Sequence, residues 1–182
     1  MKLSKDKIYL IGYMATGKTT LGRAVAMCLK WSFIDLDQLI EQDTGMRVSD
    51  IFRLHGEVHF RALERETLRR VASMPGKMII ACGGGTPCHA DNMDLMNASG
   101  LTVLLEAPIP RLIERLRLTP GQRPLIDNLS EASIQEYVTT NLKARDPFYS
   151  RAHYRFDSSQ LEDTDQIRKS AQSFINMTVN QL

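Results

Sequence analysis

The chain has 182 residues, enough for one well-cored domain and too few for two ordinary ones. Its formal charge of +2 argues against a general nucleic-acid or membrane-surface role, and no apolar run approaches the ~20 residues that a transmembrane helix needs. Three cysteines without a C-x-x-C pair indicate reduced thiols. We therefore expect a soluble cytoplasmic protein with neither nucleic-acid nor membrane partners.

Short apolar runs alternate along the chain with longer amphipathic segments. The runs that predict strands are Ile8–Tyr13, Ser32–Asp35, Met78–Cys82, Thr102–Glu106 and Tyr154–Asp157. The segments that predict helices are Lys18–Lys30, Val48–Ser73, Ala90–Ala98, Pro110–Leu118, Ser130–Arg145 and Thr164–Val179. This alternation is typical of an α/β fold with a central parallel sheet of about five strands and helices on both faces. Ligands of such sheets bind at the carboxyl ends of the strands, so we expect the functional residues there.

The first predicted strand runs directly into GYMATGKT, residues 12–19, which fits the phosphate-binding pattern G-x-x-x-x-G-K-[ST]. Such a loop turns its backbone N–H groups around an anion, and the following helix directs its positive end at the same point. In this pattern Lys18 reaches the β- and γ-phosphates and the Thr19 hydroxyl ligates Mg²⁺. A chance glycine turn is the alternative, but the flanking strand and helix favour the phosphate loop. The residues predicted to bind ATP here are Gly12, Ala15, Thr16, Gly17, Lys18, Thr19 and Thr20.

Two carboxylates follow the second predicted strand. Asp35 and Asp37 lie two apart, so in an extended segment their side chains point the same way. One carboxylate is suited to hold Mg²⁺ or its waters, and the other to orient an attacking hydroxyl. Asp37 could also cap a helix that begins at QLIEQ, and the two roles are compatible.

Other charged residues allow simpler structural explanations. Arg61 and Glu64 lie three apart in a predicted helix and could pair with each other. Arg145 lies near a predicted helix end, where a positive charge favours the helix dipole. His55 and His59 are spaced like a pair of metal ligands, but the sequence offers no third one.

Two further segments are suited to meet a ligand. The sequence GGG, residues 83–85, follows a buried strand and is either a plain turn or backbone offered to a substrate, and we favour the substrate. The sequence RLTPGQRPLIDN, residues 117–128, holds two prolines and few apolar residues, so it cannot pack well on itself. A long loop in a compact domain is usually functional or disordered, and we interpret this one as a lid.

The chain resembles the shikimate kinases over nearly its whole length. The resemblance is carried by the order and spacing of GYMATGKTT, FIDLDQLIE, DIFRLHGEVHFRALE, ACGGGT, GQRPLI and KARDPFY. It implies one P-loop kinase domain over 1–182, with a substrate-binding helical region at about 37–65 and a lid at about 117–128. It also implies ATP-dependent, Mg²⁺-dependent phosphorylation of the 3-hydroxyl of shikimate, in the route to chorismate and the aromatic amino acids. We expect the enzyme to be a monomer.

The resemblance implies roles for individual residues. The residues that would contact shikimate are Asp37, Arg61 and Arg145, with backbone N–H groups from Gly83, Gly84 and Gly85. Asp35 would act on Mg²⁺, largely through water, and Arg115 would lie against adenine. Arg123 would be the lid arginine that reaches the transferring phosphate. The catalytic set is thus Lys18, Asp37 and Arg123.

The chain departs from the family pattern in two places. Ala15 stands where the family usually has a third loop glycine, which alters the stiffness of the loop and removes no hydrogen-bond donor. The interval between Arg115 and Arg123 is one residue longer than in the family pattern. Two other functions fit the same motifs: a small-molecule or nucleotide kinase with a neutral acceptor, and a nucleotide-binding regulatory module without catalysis.

We predict that Arg123→Ala spares the binding of both ground-state ligands and lowers kcat and kcat/KM together. An arginine delivered by closure of a lid acts mainly in the transition state. The measurement is kcat and Tm on the same preparation. A fall of several degrees in Tm with kcat preserved would show that the arginine is structural instead.

Overall fold

The computed structural model describes residues 6–118 and 130–179. The strands are β1 (Lys7–Ile11), β2 (Ser32–Asp35), β3 (Met78–Ala81), β4 (Leu101–Glu106) and β5 (Tyr154–Asp157). The helices are α1 (Lys18–Leu29), α2 (Leu36–Thr44), α3 (Val48–Ser73), α4 (Asn92–Ser99), α5 (Ile109–Arg117), α6 (Glu131–Tyr149) and α7 (Thr164–Thr178). Arg123 and the predicted lid from residue 119 onward lie outside the described residues.

The five strands form one parallel sheet in the order β2-β3-β1-β4-β5. Every residue of the central strand β1 is buried, as expected for a parallel strand that is covered on both faces. Its neighbours in register are β3 and β4, with Leu10 beside Ala81 and Val103. The carboxyl ends of β1 and β3 therefore lie side by side, and the segments that follow them meet at one edge of the sheet.

Each face of the sheet has its own apolar core. On one face Leu10 packs with Val25 of α1 and Phe174 of α7. On the other face Tyr9 packs with Leu68 of α3 and Met96 of α4. The predicted α/β architecture with helices on both faces is confirmed. No helix in the part of the chain that the structure describes is both long and apolar enough to cross a membrane.

The turn from β2 into α2 corrects one sequence interpretation. Asp35, not Asp37, caps the helix: an Asp35 carboxylate oxygen accepts from the backbone N–H of Gln38 at 3.4 Å. Leu36 is fully buried and already helical, so the helix starts two residues earlier than a cap at Asp37 would require. Asp37 lies in the first turn, which leaves its carboxylate available for another role.

The end of α6 corrects a second interpretation, since the helix continues through Pro147 to Tyr149 instead of ending at Arg145. Tyr149 is 3% exposed, and its hydroxyl donates to the carbonyl oxygen of Gly84 at 2.7 Å. Burial and this hydrogen bond stabilise the last turn despite the proline. The extra turn fastens α6 to the glycine-rich segment that follows β3.

Candidate active site

The loop between β1 and α1 lines one end of a cavity of about 600 Å³. Gly17, which immediately precedes α1, has φ 85°, a left-handed conformation that glycine adopts without strain. The Nζ atom of Lys18 donates to the carbonyl oxygens of Gly12 and Tyr13 at 2.8 and 2.7 Å, which holds the ammonium at the loop. The predicted ATP-binding residues of this loop that line the cavity are Ala15, Gly17, Lys18, Thr19 and Thr20.

Two of the predicted loop residues shape the loop from behind. The Thr16 side chain is buried, and its hydroxyl donates to the carbonyl oxygen of Tyr13 at 2.8 Å. A Cβ atom added at Gly12 would lie 2.4 Å from the carbonyl oxygen of Leu105 in β4. The structure thus places Gly12 and Thr16 as supports of the turn rather than in the cavity wall.

Thr19 and Asp35 face each other across the start of α1 and line the same cavity. The Thr19 hydroxyl donates to Oδ2 of Asp35 at 2.7 Å. Hydroxyl and carboxylate oxygens are the ligands that Mg²⁺ prefers, together with phosphate oxygens and water. This oxygen pair therefore fits Mg²⁺. Within residues 6–118 and 130–179 no cluster of three or more His, Cys, Asp or Glu side chains is placed to hold a metal; a Mg²⁺ shared with phosphates needs none.

Asp37 supplies a carboxylate between the phosphate loop and the glycine-rich turn, residues 83–85. Its Oδ1 atom is buried without a hydrogen-bond partner among the described residues. Burial, the largest cause, and the nearby carboxylates of Asp35 and Glu64 together raise the pKa of Asp37 to about 6, while Lys18 opposes the shift. A carboxylate whose pKa lies near neutrality is suited to accept a proton from a hydroxyl.

Each glycine of the glycine-rich turn packs against a different charged side chain. A Cβ atom added at Gly83 would lie 3.0 Å from Oε1 of Glu64 and 3.1 Å from Oδ1 of Asp37. The corresponding distances are 2.9 Å from Gly84 to Nη1 of Arg145 and 2.6 Å from Gly85 to Nη2 of Arg61. Side chains from α2, α3 and α6 therefore converge on a turn that has no side chains of its own.

Arg61 is held by two carboxylates of its own helix. Its Nη1 atom donates to Oε2 of Glu64 at 2.9 Å, so the pairing allowed by the sequence exists. Its Nε and Nη2 atoms donate to Oε1 of Glu57 at 3.2 and 3.1 Å. The guanidinium also lies 5.3 Å from the ring centroid of Phe60. The ion pair with Glu64 does not remove Arg61 from the site, because the paired guanidinium still lies against Gly85.

Glu64 belongs to the site although the sequence interpretation gave it no role beyond that pairing. The residue is completely buried, and its Oε1 atom accepts from the Thr86 hydroxyl at 2.5 Å. One signal in the sequence could have found it. Glu64 lies at helical spacing between the buried residues Phe60 and Leu68, on the apolar face of α3, where a carboxylate must have partners.

Arg145 is the second guanidinium of the site. It lies 5.0 Å from the ring centroid of Tyr13 and close to the side chain of Tyr149. Within the described ranges it forms no ion pair with a carboxylate. A partly buried guanidinium without a carboxylate partner is suited to bind an anion, and more so where a backbone turn such as Gly84 adds N–H groups.

Arg115 also lines the cavity, together with Leu161 and Glu162. Its guanidinium donates to the carbonyl oxygens of Ala15 at 3.3 Å and Ser158 at 2.9 Å, and to Oε1 of Glu162 at 2.9 Å. These hydrogen bonds use the edges of the guanidinium group. Planar guanidinium groups can also stack on aromatic rings, so the contact of Arg115 with adenine stays a prediction. The predicted phosphate contact of Arg123 falls outside the described residues.

Comparisons with known proteins agree on one family. The family model described as shikimate kinase matches residues 14–177. A shikimate kinase of Phocaeicola vulgatus is 44% identical over 92% of this chain and 95% of its own length. The crystal structure of shikimate kinase from Bacteroides thetaiotaomicron has a TM-score of 0.91 at 40% identity, covering 97% of this chain and 98% of that one. The shikimate kinase from Acinetobacter baumannii in complex with shikimate has a TM-score of 0.83 at 31% identity, covering 98% and 95%.

We predict that Asp37→Asn lowers kcat, keeps ATP affinity and raises the stability of the fold at neutral pH. The folded-state pKa of about 6 lies above the ordinary value of 3.8, so ionised Asp37 destabilises the native state. That penalty is absent below about pH 4 and complete above about pH 6, and removing it should gain up to about 3 kcal/mol.

Urea unfolding of wild type and Asp37→Asn at several pH values, with steady-state kinetics, tests both parts. A stability gain of equal size at acid and neutral pH would contradict the assigned pKa. Loss of ATP binding as large as the loss of turnover would assign Asp37 to the metal rather than to the acceptor.

We predict that Ala15→Gly stabilises the protein. Ala15 has φ 63°, a left-handed conformation that is unfavourable for any residue with a Cβ atom. Removing the Cβ atom should gain about 0.5–1 kcal/mol after the greater freedom of glycine in the unfolded chain is counted. The control is Ala144→Gly, at an exposed position in α6, which should lose about 0.5–1 kcal/mol. Equal losses in urea unfolding would show that Ala15 carries no strain.

Proposed function

The chain belongs to the shikimate kinase family, and from this premise we propose that it transfers the γ-phosphoryl group of ATP to the 3-hydroxyl of shikimate. The product would be shikimate 3-phosphate, on the route to chorismate and the aromatic amino acids. The relative from A. baumannii is a shikimate kinase in complex with shikimate, and the match covers 98% of this chain and 95% of that one.

The observation that carries the proposal is the meeting of two guanidinium groups and a carboxylate on the glycine-rich turn, beside the phosphate loop. Shikimate is a small ring with one carboxylate and three hydroxyls. Arg61 and Arg145, which pack against Gly85 and Gly84, are suited to grip the carboxylate by paired hydrogen bonds. Asp37, which packs against Gly83, is then left to meet a hydroxyl on the opposite side of the ring.

Asp37 would position the acceptor hydroxyl and take its proton. The hydroxyl oxygen then forms a bond to the γ-phosphorus while the bond from phosphorus to the bridging oxygen breaks, and ADP leaves with that oxygen. Lys18, anchored at the carbonyl oxygens of the loop, stabilises the negative charge that develops on the phosphates. Arg123 would act on the same transferring group from the predicted lid.

Mg²⁺ would be held by the Thr19 hydroxyl and, directly or through water, by Asp35, whose oxygens lie 2.7 Å apart. When bound, the ion neutralises charge on the β- and γ-phosphates. Adenine would lie against the face of Arg115, which also lines the cavity.

We further propose that the enzyme works as a monomer in the cytoplasm. The near-neutral net charge gives no reason to expect nucleic acid or a membrane as a partner. Three free cysteines, of which Cys82 is fully buried, suit a reducing compartment.

The experiment that tests the function is a coupled assay of ADP release with and without shikimate, across a panel of small-molecule acceptors. We expect release that depends on shikimate. Release with a neutral sugar or a nucleoside instead would favour a different kinase of the same build. Nucleotide binding without any phosphorylated acceptor in a single turnover would favour a regulatory module.

Lys18→Met should leave the fold intact and reduce kcat by at least ~100-fold, the scale of losing one preorganised donor in a transition state. The measurement is kcat at saturating substrates, with Tm as the control for folding. A variant that keeps more than about a tenth of the wild-type kcat would contradict the assignment of Lys18 to the phosphates.

Arg61→Lys and Arg145→Lys should each raise the KM for shikimate and leave the KM for ATP nearly unchanged. Lysine keeps the positive charge and loses the planar fork, so the pair of variants tests geometry. Arg61→Lys should also lower Tm, because Arg61 holds the buried Glu64, whereas Arg145 has no carboxylate partner among the described residues. An unchanged KM for shikimate in both variants would favour a neutral acceptor.

A further inference from the structure

Ala15 is strained in a loop that must keep its shape to bind phosphates. Its φ of 63° lies in the left-handed region, which a residue with a Cβ atom leaves readily unless its surroundings hold it there. Glycine at this position would need no such support. Some contact in this protein must therefore stabilise the conformation of the loop at Ala15.

Arg115 contacts the loop at this residue. Its Nη1 atom donates to the carbonyl oxygen of Ala15 at 3.3 Å, across a hundred residues of sequence. The rest of the guanidinium is fixed to the segment after β5: Nη2 donates to the carbonyl oxygens of Ser158 and Ser159 at 2.9 and 3.1 Å. The Arg115 side chain is only 13% exposed, so its position is well defined.

Glu162 aligns this arginine. Its Oε1 atom accepts from Nε and Nη2 of Arg115 at 3.2 and 2.9 Å, a two-bond contact that fixes the plane of the guanidinium. The same carboxylate lies 3.6 Å from Nε of Arg111, one turn earlier on α5. Glu162 therefore influences the orientation of the Ala15 carbonyl group through its hydrogen bonds to Arg115.

We propose that Arg115 and Glu162 are positioning residues that hold the phosphate loop in its binding conformation at Ala15. The pair thus replaces the conformational freedom that a glycine would give the loop. This inference rests on the proposed binding of ATP phosphates at the loop. The proposed positioning role does not depend on a contact between Arg115 and adenine. It therefore predicts an effect on the binding of a phosphate ligand that has no base.

The probe is magnesium tripolyphosphate, which carries the phosphates of ATP without the nucleoside. Its Kd is measured by calorimetry for wild type, Arg115→Met, Ala15→Gly and the double variant, with MgATP in parallel. We expect Arg115→Met to weaken tripolyphosphate about fivefold to thirtyfold when residue 15 is alanine, the range set by the preference of alanine against the left-handed region. In the Ala15→Gly background the same change should weaken it less than about twofold.

Glu162→Gln is the milder variant and should give a smaller loss in the same direction, again suppressed by Ala15→Gly. It carries the test if Arg115→Met melts below the temperature of the measurement. Asp94→Asn is the charge-matched control: it removes one partly exposed carboxylate that pairs with Arg151 on another face, and it should leave the Kd of tripolyphosphate unchanged.

Two results would overturn the inference while leaving the proposed function intact. If Arg115→Met weakens tripolyphosphate equally with alanine and glycine at position 15, Arg115 acts on the phosphates by charge alone. If it weakens MgATP and not tripolyphosphate, Arg115 acts only on the base. If the wild type binds neither ligand, the proposed function fails and the inference fails with it.

Discussion

The site depends on three consecutive residues without side chains. Asp37, Arg61 and Arg145 come from three helices. A Cβ atom placed on the turn at 83–85 would collide with the two arginines and crowd Asp37. The turn follows β3, which is paired with the central strand β1, so its position relative to the phosphate loop is fixed by backbone hydrogen bonds. The three charged groups thus pack on one turn. The distance between the proposed acceptor and the ATP phosphates is set by the spacing of the neighbouring strands β1 and β3.

The two buried carboxylates beside this turn differ in their hydrogen bonding. Glu64 is fully buried and has both carboxylate oxygens occupied, one by Arg61 and the other by Thr86. Asp37, its neighbour across Gly83, keeps a buried oxygen without a partner among the described residues. A satisfied buried carboxylate adds to structural order, whereas an unsatisfied one raises the energy of the folded state. The protein places the unsatisfied one where the proposed reaction needs a base.

The sequence predicted the fold better than the tertiary contacts that support the candidate site. Five apolar runs marked all five strands, because parallel strands buried on both faces are continuous hydrophobic segments. The P-loop spacing marked Lys18 and Thr19, because its chemistry depends on local sequence.

What the sequence missed depends on tertiary contacts. The role of Glu64 follows from Thr86, which is 22 residues away, and the last turn of α6 persists beyond Pro147 because Tyr149 reaches Gly84. Local propensity carries no record of such partners.

Helix α6 connects two parts of the proposed site. It begins at Glu131, directly after the segment predicted to be the lid, and its last turns carry Arg145 and Tyr149 to the glycine-rich turn. Nineteen helical residues span about 28 Å, a length over which an α-helix is stiff. We therefore expect a displacement of its first residue to reach Arg145, which lies near the other end of the helix. Helix α6 thus connects the segment predicted to be the lid with the proposed acceptor pocket.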